Sequence, residues 1–376
     1  MSYILPSNKF EILISPIIAL NSIDSSSNTP APAPAPAYEY LLYEKLKNNY
    51  KSFFNHKNCD IYREVNFEEQ LSYLYNKTMD DNKITSDNYD NSMFYEINEF
   101  IIKHNIFKNN IFKKNNVFII SKYTNEILDA MKQNNIEYEN YFTFHSYNDN
   151  FATNIRQTEH IFEFMIFDIL LEDNKFYNNF YSNFLTSLMV ILNYLKKNGK
   201  CIFKINIDIY NKVSEFIYFL SYLFENISIV QLECSDNISL YIQCNDFIIN
   251  ENRTDNYNKN LIMIFFLLNK MKSSKNNKFI SLFQTSVPYF FNTKLKNVKN
   301  IILQQKMEII YNLNNYFYSN SKSNNTNTNT NTNTNTNTNI NTNENNIFIQ
   351  KLKQINNQKI KKTISWCKKY NISYSV

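Results

Sequence analysis

The sequence predicts an α/β protein: a parallel sheet with helices on both faces, flanked by helical N- and C-terminal extensions. Two observations carry that prediction. Between Asn115 and Cys244, short runs rich in β-branched and aromatic residues alternate with longer amphipathic segments, as a sheet wound through crossover helices requires. The 376 residues also exceed what one ordinary core organises, so more than one folding unit is expected.

Taken in order, Tyr38 to Phe54 and Asn91 to His104 place apolar residues at helical intervals and read as helices. Val117 to Ser121 is a short buried strand, Asn125 to Asn134 a helix and Asn140 to His145 a second strand. Phe162 to Asp168 is a strand, Phe176 to Lys197 a long amphipathic helix and Lys200 to Asn206 another strand. Gly199, the only glycine, falls between that helix and strand, where a left-handed C-cap residue is wanted. Val213 to Asn226 reads as a helix and Ile227 to Leu232 as a strand; Ile238 to Cys244 follows so closely that an antiparallel final pair is expected. Beyond Phe247 the pattern is helical over Asn260 to Met271, Val298 to Tyr318 and Ile347 to Tyr370. The chain thus divides into a mainly helical N-terminal region (1–110), a sheet domain (111–250) and a helical C-terminal region (251–376).

Two low-complexity inserts interrupt these regions. Residues 25–37 end in alternating Pro and Ala, which favours an extended surface spacer. The Asn-Thr alternation over 324–343 has nothing apolar to bury, so nothing compensates the entropy of ordering it; a disordered loop is expected.

Composition mainly excludes. One Gly in the whole chain removes the P-loop, the kinase loop and the glycine-rich dinucleotide fingerprint. Abundant Asn, Ile, Lys, Tyr and Phe match A+T-rich codons, which weakens composition as evidence of function. Five cysteines, at 59, 201, 234, 244 and 367, show neither paired spacing nor a Cys/His pattern, which argues against a disulfide framework or a zinc site and for a reducing, cytoplasmic compartment. His56, His104, His145 and His160 are dispersed and read as packing or surface residues. Met1 to Leu20 lacks a signal-peptide pattern and no apolar run is long and uncharged enough to span a bilayer, so no membrane partner is expected.

The net charge of +5 is unevenly placed. Asn345 to Val376 carries Lys351, Lys353, Lys359, Lys361, Lys362, Lys368 and Lys369 and no carboxylate. A basic helix of this kind grips phosphate backbones through charge neutralisation and counterion release; a solvated helix face is the competing reading.

The stretch from Phe162 to Phe247 resembles the FtsJ-like (RrmJ-type) ribose 2'-O-methyltransferases, especially the divergent members found in large DNA viruses. The resemblance rests on MIFD at 165–168, LKKNGKCIFKI at 195–205, EFIYFLSYLFENISI at 215–229 and SLYIQCNDF at 239–247. ILPSNKF near the N-terminus and ISWCKKYNI at 364–372 agree with it. It implies a Rossmann-like methyltransferase sheet over 111–250 and a Lys-Asp-Lys-Glu tetrad that activates a ribose hydroxyl for attack on the methyl of S-adenosylmethionine. Asp168 matches the family's Asp and Lys204 its second Lys; Ser239 stands where the final-strand Glu is expected, and Glu96 falls near the first Lys. Taken singly, a strand-end Asp also caps turns, and a strand Lys also snorkels from a sheet edge.

The family's cofactor turn after the first strand, acidic-Ala-Pro-Gly-Gly-Phe, corresponds here to Ser121-Lys122-Tyr123-Thr124-Asn125-Glu126-Ile127. With no glycine there, Ser121, Tyr123 and Asn125 form a degenerate loop expected not to bind S-adenosylmethionine: bulky side chains would fill its space or forbid the positive φ angles the turn needs. The resemblance therefore implies a catalytically degenerate homologue acting through RNA or through capping or transcription proteins, in host cytoplasm or virion. The alternatives are an active S-adenosylmethionine-dependent methyltransferase of RNA caps or ribosomal RNA, and a structural subunit of a capping complex.

Overall fold

The computed structural model describes residues 2–6, 12–20, 92–104, 115–145, 147, 161–169, 177–206, 213–234, 239–248, 254–273, 277–302, 304, 357 and 360–372. The chain divides into two units, one of residues 1–29 with 91–299 and one of residues 30–90 with 300–376. The helix expected at Tyr38 to Phe54 and both low-complexity inserts lie outside the described residues.

The first unit is built on a mixed seven-stranded sheet. Its members are β1 (Ser2–Leu5), β3 (Asn115–Ile120), β4 (Tyr138–Phe144), β5 (Phe162–Asp168), β6 (Leu195–Asn206), β7 (Phe224–Val230) and β8 (Ser239–Phe247), in the order β1-β7-β8-β6-β5-β3-β4. β4, β3, β5 and β6 run parallel, and β8 is antiparallel to both β6 and β7. The expected alternation of strand and helix and the final antiparallel pair are both present, so the α/β class holds.

The described part of the N-terminal region holds the helix Ser92–His104 and also two strands that the sequence reading did not expect. β1 pairs antiparallel with β7 at the sheet edge, and β2 (Ile17–Leu20) pairs with β9 (Asn277–Ser281) in a separate two-stranded ribbon. Tertiary pairing decides both, because four-residue strands carry too few residues for a period to register. Asn260, 2% exposed, steadies the approach to β2: its side chain accepts from the Ile14 N–H at 2.8 Å and donates to the Ile12 carbonyl at 2.9 Å.

Helices cover both faces. α1 (Ser92–His104) packs with α2 (Thr124–Gln133), while α3 (Tyr177–Tyr194) packs with α5 (Thr254–Ser273). Successive strand residues point to opposite faces, and β6 shows the division directly. Phe203 stacks on Phe184 of α3 with ring centres 5.1 Å apart, and Phe184 in turn meets Phe216 of α4 (Ser214–Leu223) at 4.4 Å. The next residue, Lys204, turns the other way and reaches Glu96 of α1. A helix over 289–302, α6, begins earlier than the expected start at Val298, and α7 over 360–369 lies within the expected C-terminal helix. No helix among the described residues is long and apolar enough to cross a membrane.

With glycine almost absent, asparagine closes helices. After α2 the Ile136 N–H bonds back to the Met131 carbonyl at 3.1 Å, with Asn135 at φ 54. After α7 the Ile372 N–H bonds to the Cys367 carbonyl at 2.9 Å, with Asn371 at φ 51. Both are six-to-one closures whose left-handed residue is usually Gly and here is Asn, the side-chain-bearing type that best tolerates that region.

The same substitution corrects the role expected for Gly199. Asn198 holds the left-handed conformation (φ 61), whereas the φ of Gly199 is not positive. Phe162 faces Leu195 while Phe164 faces Lys200, so residues 196–199 bulge from the ladder. A Cβ on Gly199 would lie 2.6 Å from the Lys196 carbonyl oxygen and 2.7 Å from Leu195 Cδ1. Close approach, not dihedral freedom, requires glycine there. Gly199→Ala should therefore destabilise the protein by about 1–3 kcal/mol, as other overpacked sites do, and Asn198→Gly should change stability by a small fraction of that. An unaltered urea midpoint for Gly199→Ala would refute the steric reading.

Candidate functional site

The chain passes from β3 to β4 on one side and then to β5 on the other side of β3, so its winding reverses between β3 and β5. In open α/β sheets, ligands bind outside the carboxyl ends of the strands at such a reversal. Ser121 directly follows β3 and Asp168 ends β5. The buried Ser121 hydroxyl donates to Asp168 Oδ2 at 3.1 Å and accepts from the Tyr123 N–H at 3.2 Å. The Ser121 N–H donates to the Phe144 carbonyl of β4 at 3.0 Å. The carboxyl ends of three strands are thereby stitched together around one residue.

The turn into α2 is formed without any positive φ: among the described residues only Asn135, Asn198, Asp246 and Asn371 adopt one. Lys122 and Asn125 are exposed and Tyr123 is half-buried, with the Lys122 ammonium 4.8 Å from the Tyr123 ring centre.

Asp168 and Tyr241 are the register partners of Lys204 on its two neighbouring strands. Ser239, two residues before Tyr241 and 3% exposed, lies on the same face of β8. Above them α1 lowers Glu96, which is 0% exposed. Lys204 Nζ donates to Glu96 Oε2 at 2.7 Å, and the Tyr241 hydroxyl donates to the same oxygen. Burial, and then the Glu96 charge and hydrogen bond, push the Tyr241 phenol well above its usual range, so it stays a proton donor. Glu96 Oε1 is buried without a hydrogen-bond partner among the described residues.

Asp168, Lys204, Ser239 and Glu96 are thus brought together on one sheet face, and Ser121 joins them through Asp168. Tyr123 sits on the turn beside them and Asn125 in the first turn of α2. Lys361, Lys362, Lys368 and Lys369 are exposed on α7 of the second unit, while Lys351, Lys353 and Lys359 lie outside the described residues. The sequence reading missed Tyr241 as a partner of Glu96, although its two-residue offset from Ser239 places both on one strand face. It also missed Glu99, whose signal was a second carboxylate one turn after Glu96 in a helix whose buried positions are mostly apolar.

Glu99, 0% exposed, accepts from the backbone N–H groups of Glu233 and Cys234 at 2.9–3.0 Å and from Lys103 Nζ at 3.1 Å. It ties α1 to the segment after β7. Burial alone would lower Lys103, but Glu99 and Glu233 outweigh it and raise Lys103 above its ordinary range.

Chemically, the cluster presents an ammonium already engaged by a buried carboxylate. A lysine serves as general base only when neutral, and an adjoining carboxylate favours the charged form. The arrangement is suited to holding a charge pair rather than releasing a proton acceptor.

Removing either member of the pair should leave an uncompensated buried charge: Lys204→Met or Glu96→Leu should each cost about 3–5 kcal/mol, and the double variant should recover most of it. Additive losses in a denaturation cycle would show that the two groups are not coupled. His104 at the end of α1 gives a second prediction. Burial, then the Lys103 charge, lowers it to about 4. A histidine depressed in the folded state leaves the unfolded chain binding more protons between its ordinary value and about 4. Stability should therefore be intact above the ordinary histidine range and fall through that window, and His104→Phe should flatten the fall; parallel stability curves would count against it.

No protein-family model matches this chain, and the search of curated proteins returns no match.

Proposed function

We propose that this chain is a Rossmann-like homologue of the FtsJ-type RNA methyltransferases whose catalytic site is degenerate, and that it acts by binding rather than by methyl transfer. Support for the fold comes from the parallel run β4-β3-β5-β6 and its antiparallel final pair, with Asp168 and Lys204 opposite each other at the carboxyl ends.

The observation that carries the reading is the partner of Lys204. A carboxylate on α1 engages it, in the region where the resemblance expects a second lysine, while β8 offers the hydroxyl of Ser239 instead of a carboxylate. A carboxylate stands on α1 where the resemblance expects a cation, and Asp168 is the register partner of Lys204, so the charges beside the lysine favour its protonated form.

The turn after β3 does not fit S-adenosylmethionine well. Ser121 commits its hydroxyl to Asp168 and to the Tyr123 N–H, and the backbone enters α2 without a left-handed residue. Bare, glycine-built main chain that a bound methionine moiety would approach is missing. An active ribose 2'-O-methyltransferase is the competing reading, and the Asp168–Lys204 juxtaposition is what favours it.

Calorimetric titration of the full chain with S-adenosylmethionine separates the two. We expect no saturable heat up to about 1 mM ligand, an affinity below about 4 kcal/mol. Stoichiometric binding that Ser121→Tyr abolishes, with methyl transfer to a capped RNA, would replace this reading with the active one.

A further inference from the structure

α7 carries a surface of a different kind, in the second unit. Thr363, Trp366, Cys367 and Tyr370 are at most 3% exposed and recur at the helical interval. The exposed positions Lys361, Lys362, Ser365, Lys368 and Lys369 fall between them. At about 100° per residue these five fill an arc of about 120°, and along the axis they span about 12 Å. The helix is therefore seated by its apolar side and turns four ammonium groups outward, one pair near each end of the face with Ser365 between them. The Asn371 closure ends it directly after this face and holds the last two lysines on the final turn.

The charge is local rather than general. The segment from Asn345 onward holds seven of the 39 basic residues and none of the 34 acidic ones, so everything before it is net acidic although the whole chain is +5. The solvated-face reading accounts for scattered lysines; it does not account for the chain's whole positive excess being placed in one segment without a single carboxylate.

Three kinds of partner carry complementary charge, and the composition of the face separates them. An amphipathic helix that enters a lipid surface does so with its apolar side, and here that side is buried. A protein interface is centred on apolar or aromatic anchors with charge at its rim, and this face has none: its one non-lysine position is Ser365. A nucleic-acid backbone asks only for cations and hydrogen-bond donors in a row.

We propose that the lysine face of α7 docks the phosphate backbone of a nucleic acid, without reading its bases. The surface is independent of whether the cluster around Lys204 binds a cofactor.

The test uses the full chain and fluorescence anisotropy with a 20-nucleotide oligouridylate, the matching oligothymidylate and a 20-base-pair duplex as probes. Four lysine–phosphate contacts give a slope of log affinity against log salt between about −3 and −4, single strands at the shallow end. The variant Lys361→Gln/Lys362→Gln/Lys368→Gln/Lys369→Gln should lose at least tenfold in affinity at low salt and flatten that slope. Trp366, the only tryptophan, is buried in the same helix, so unchanged tryptophan emission shows the helix still seated. The fourfold Lys→Arg variant should retain binding. Whichever probe binds best identifies the source of the phosphates.

The proposal is overturned if none of the probes binds, if the Gln variant binds as wild type does with its emission unchanged, or if a peptide-nucleic-acid probe with an uncharged backbone binds equally. Equal binding to polyglutamate would assign the face to an acidic protein, and equal binding to phosphatidylserine vesicles would assign it to a membrane surface; either result overturns it.

Discussion

The buried pair between Lys204 and Glu96 ties the helical layer to the sheet. Both groups are almost wholly removed from water, at 7% and 0% exposure, and desolvating two charges costs several kcal/mol per ion. Their 2.7 Å contact and the Tyr241 hydroxyl on the same oxygen offset that cost. A sliding or rotating α1 would separate the charges while both remain buried. Glu99, one turn further along the same helix, makes the same demand through the N–H groups of Glu233 and Cys234. Two carboxylates a turn apart, each with its own fixed partners, leave α1 a single register above the sheet.

The two faces of the sheet consequently differ in kind. On one, Phe167, Phe203, Phe184 and Phe216 form a continuous aromatic stack linking β5 and β6 to α3 and α4. Stacking of this sort is tolerant of small displacements and carries no charge. On the other face, Asp168, Lys204 and Tyr241 stand side by side, with Ser239 two residues along. The polar face is the one whose geometry is narrowly set, and through Asp168 and Ser121 it reaches the point where the winding of the parallel strands reverses.

Near-absence of glycine shapes the backbone less than it first implies. Among the described residues, left-handed positions are occupied by Asn135, Asn198, Asn371 and Asp246, residues whose short polar side chains tolerate that region. The surviving glycine is kept for space: Lys196 and Leu195 crowd the place where its side chain would be. In the described residues Asn serves where only a dihedral is at stake, and Gly stands where a side chain would meet neighbouring atoms. The turn after β3 belongs to neither case, since it is built with ordinary dihedrals and with side chains at every position.

Sequence alone determined the α/β class, the strand at Phe162–Asp168 and the antiparallel final pair. Those rest on local period and on runs long enough to show it, whereas Asp168 and Lys204 became candidates only through the family resemblance of the stretch that holds them. Sequence also located the lysines of α7, because a segment lacking any carboxylate is visible without coordinates. Only tertiary structure decided the rest. The pairing of β1 with β7 and β2 with β9 depends on partners more than two hundred residues away, and four-residue strands carry no period of their own. That a carboxylate from α1 rather than one from β8 engages Lys204 follows from how α1 is laid over the sheet, which no spacing within either segment encodes. The outward direction of the α7 lysines was likewise settled by which side of that helix is buried, a consequence of packing rather than of charge.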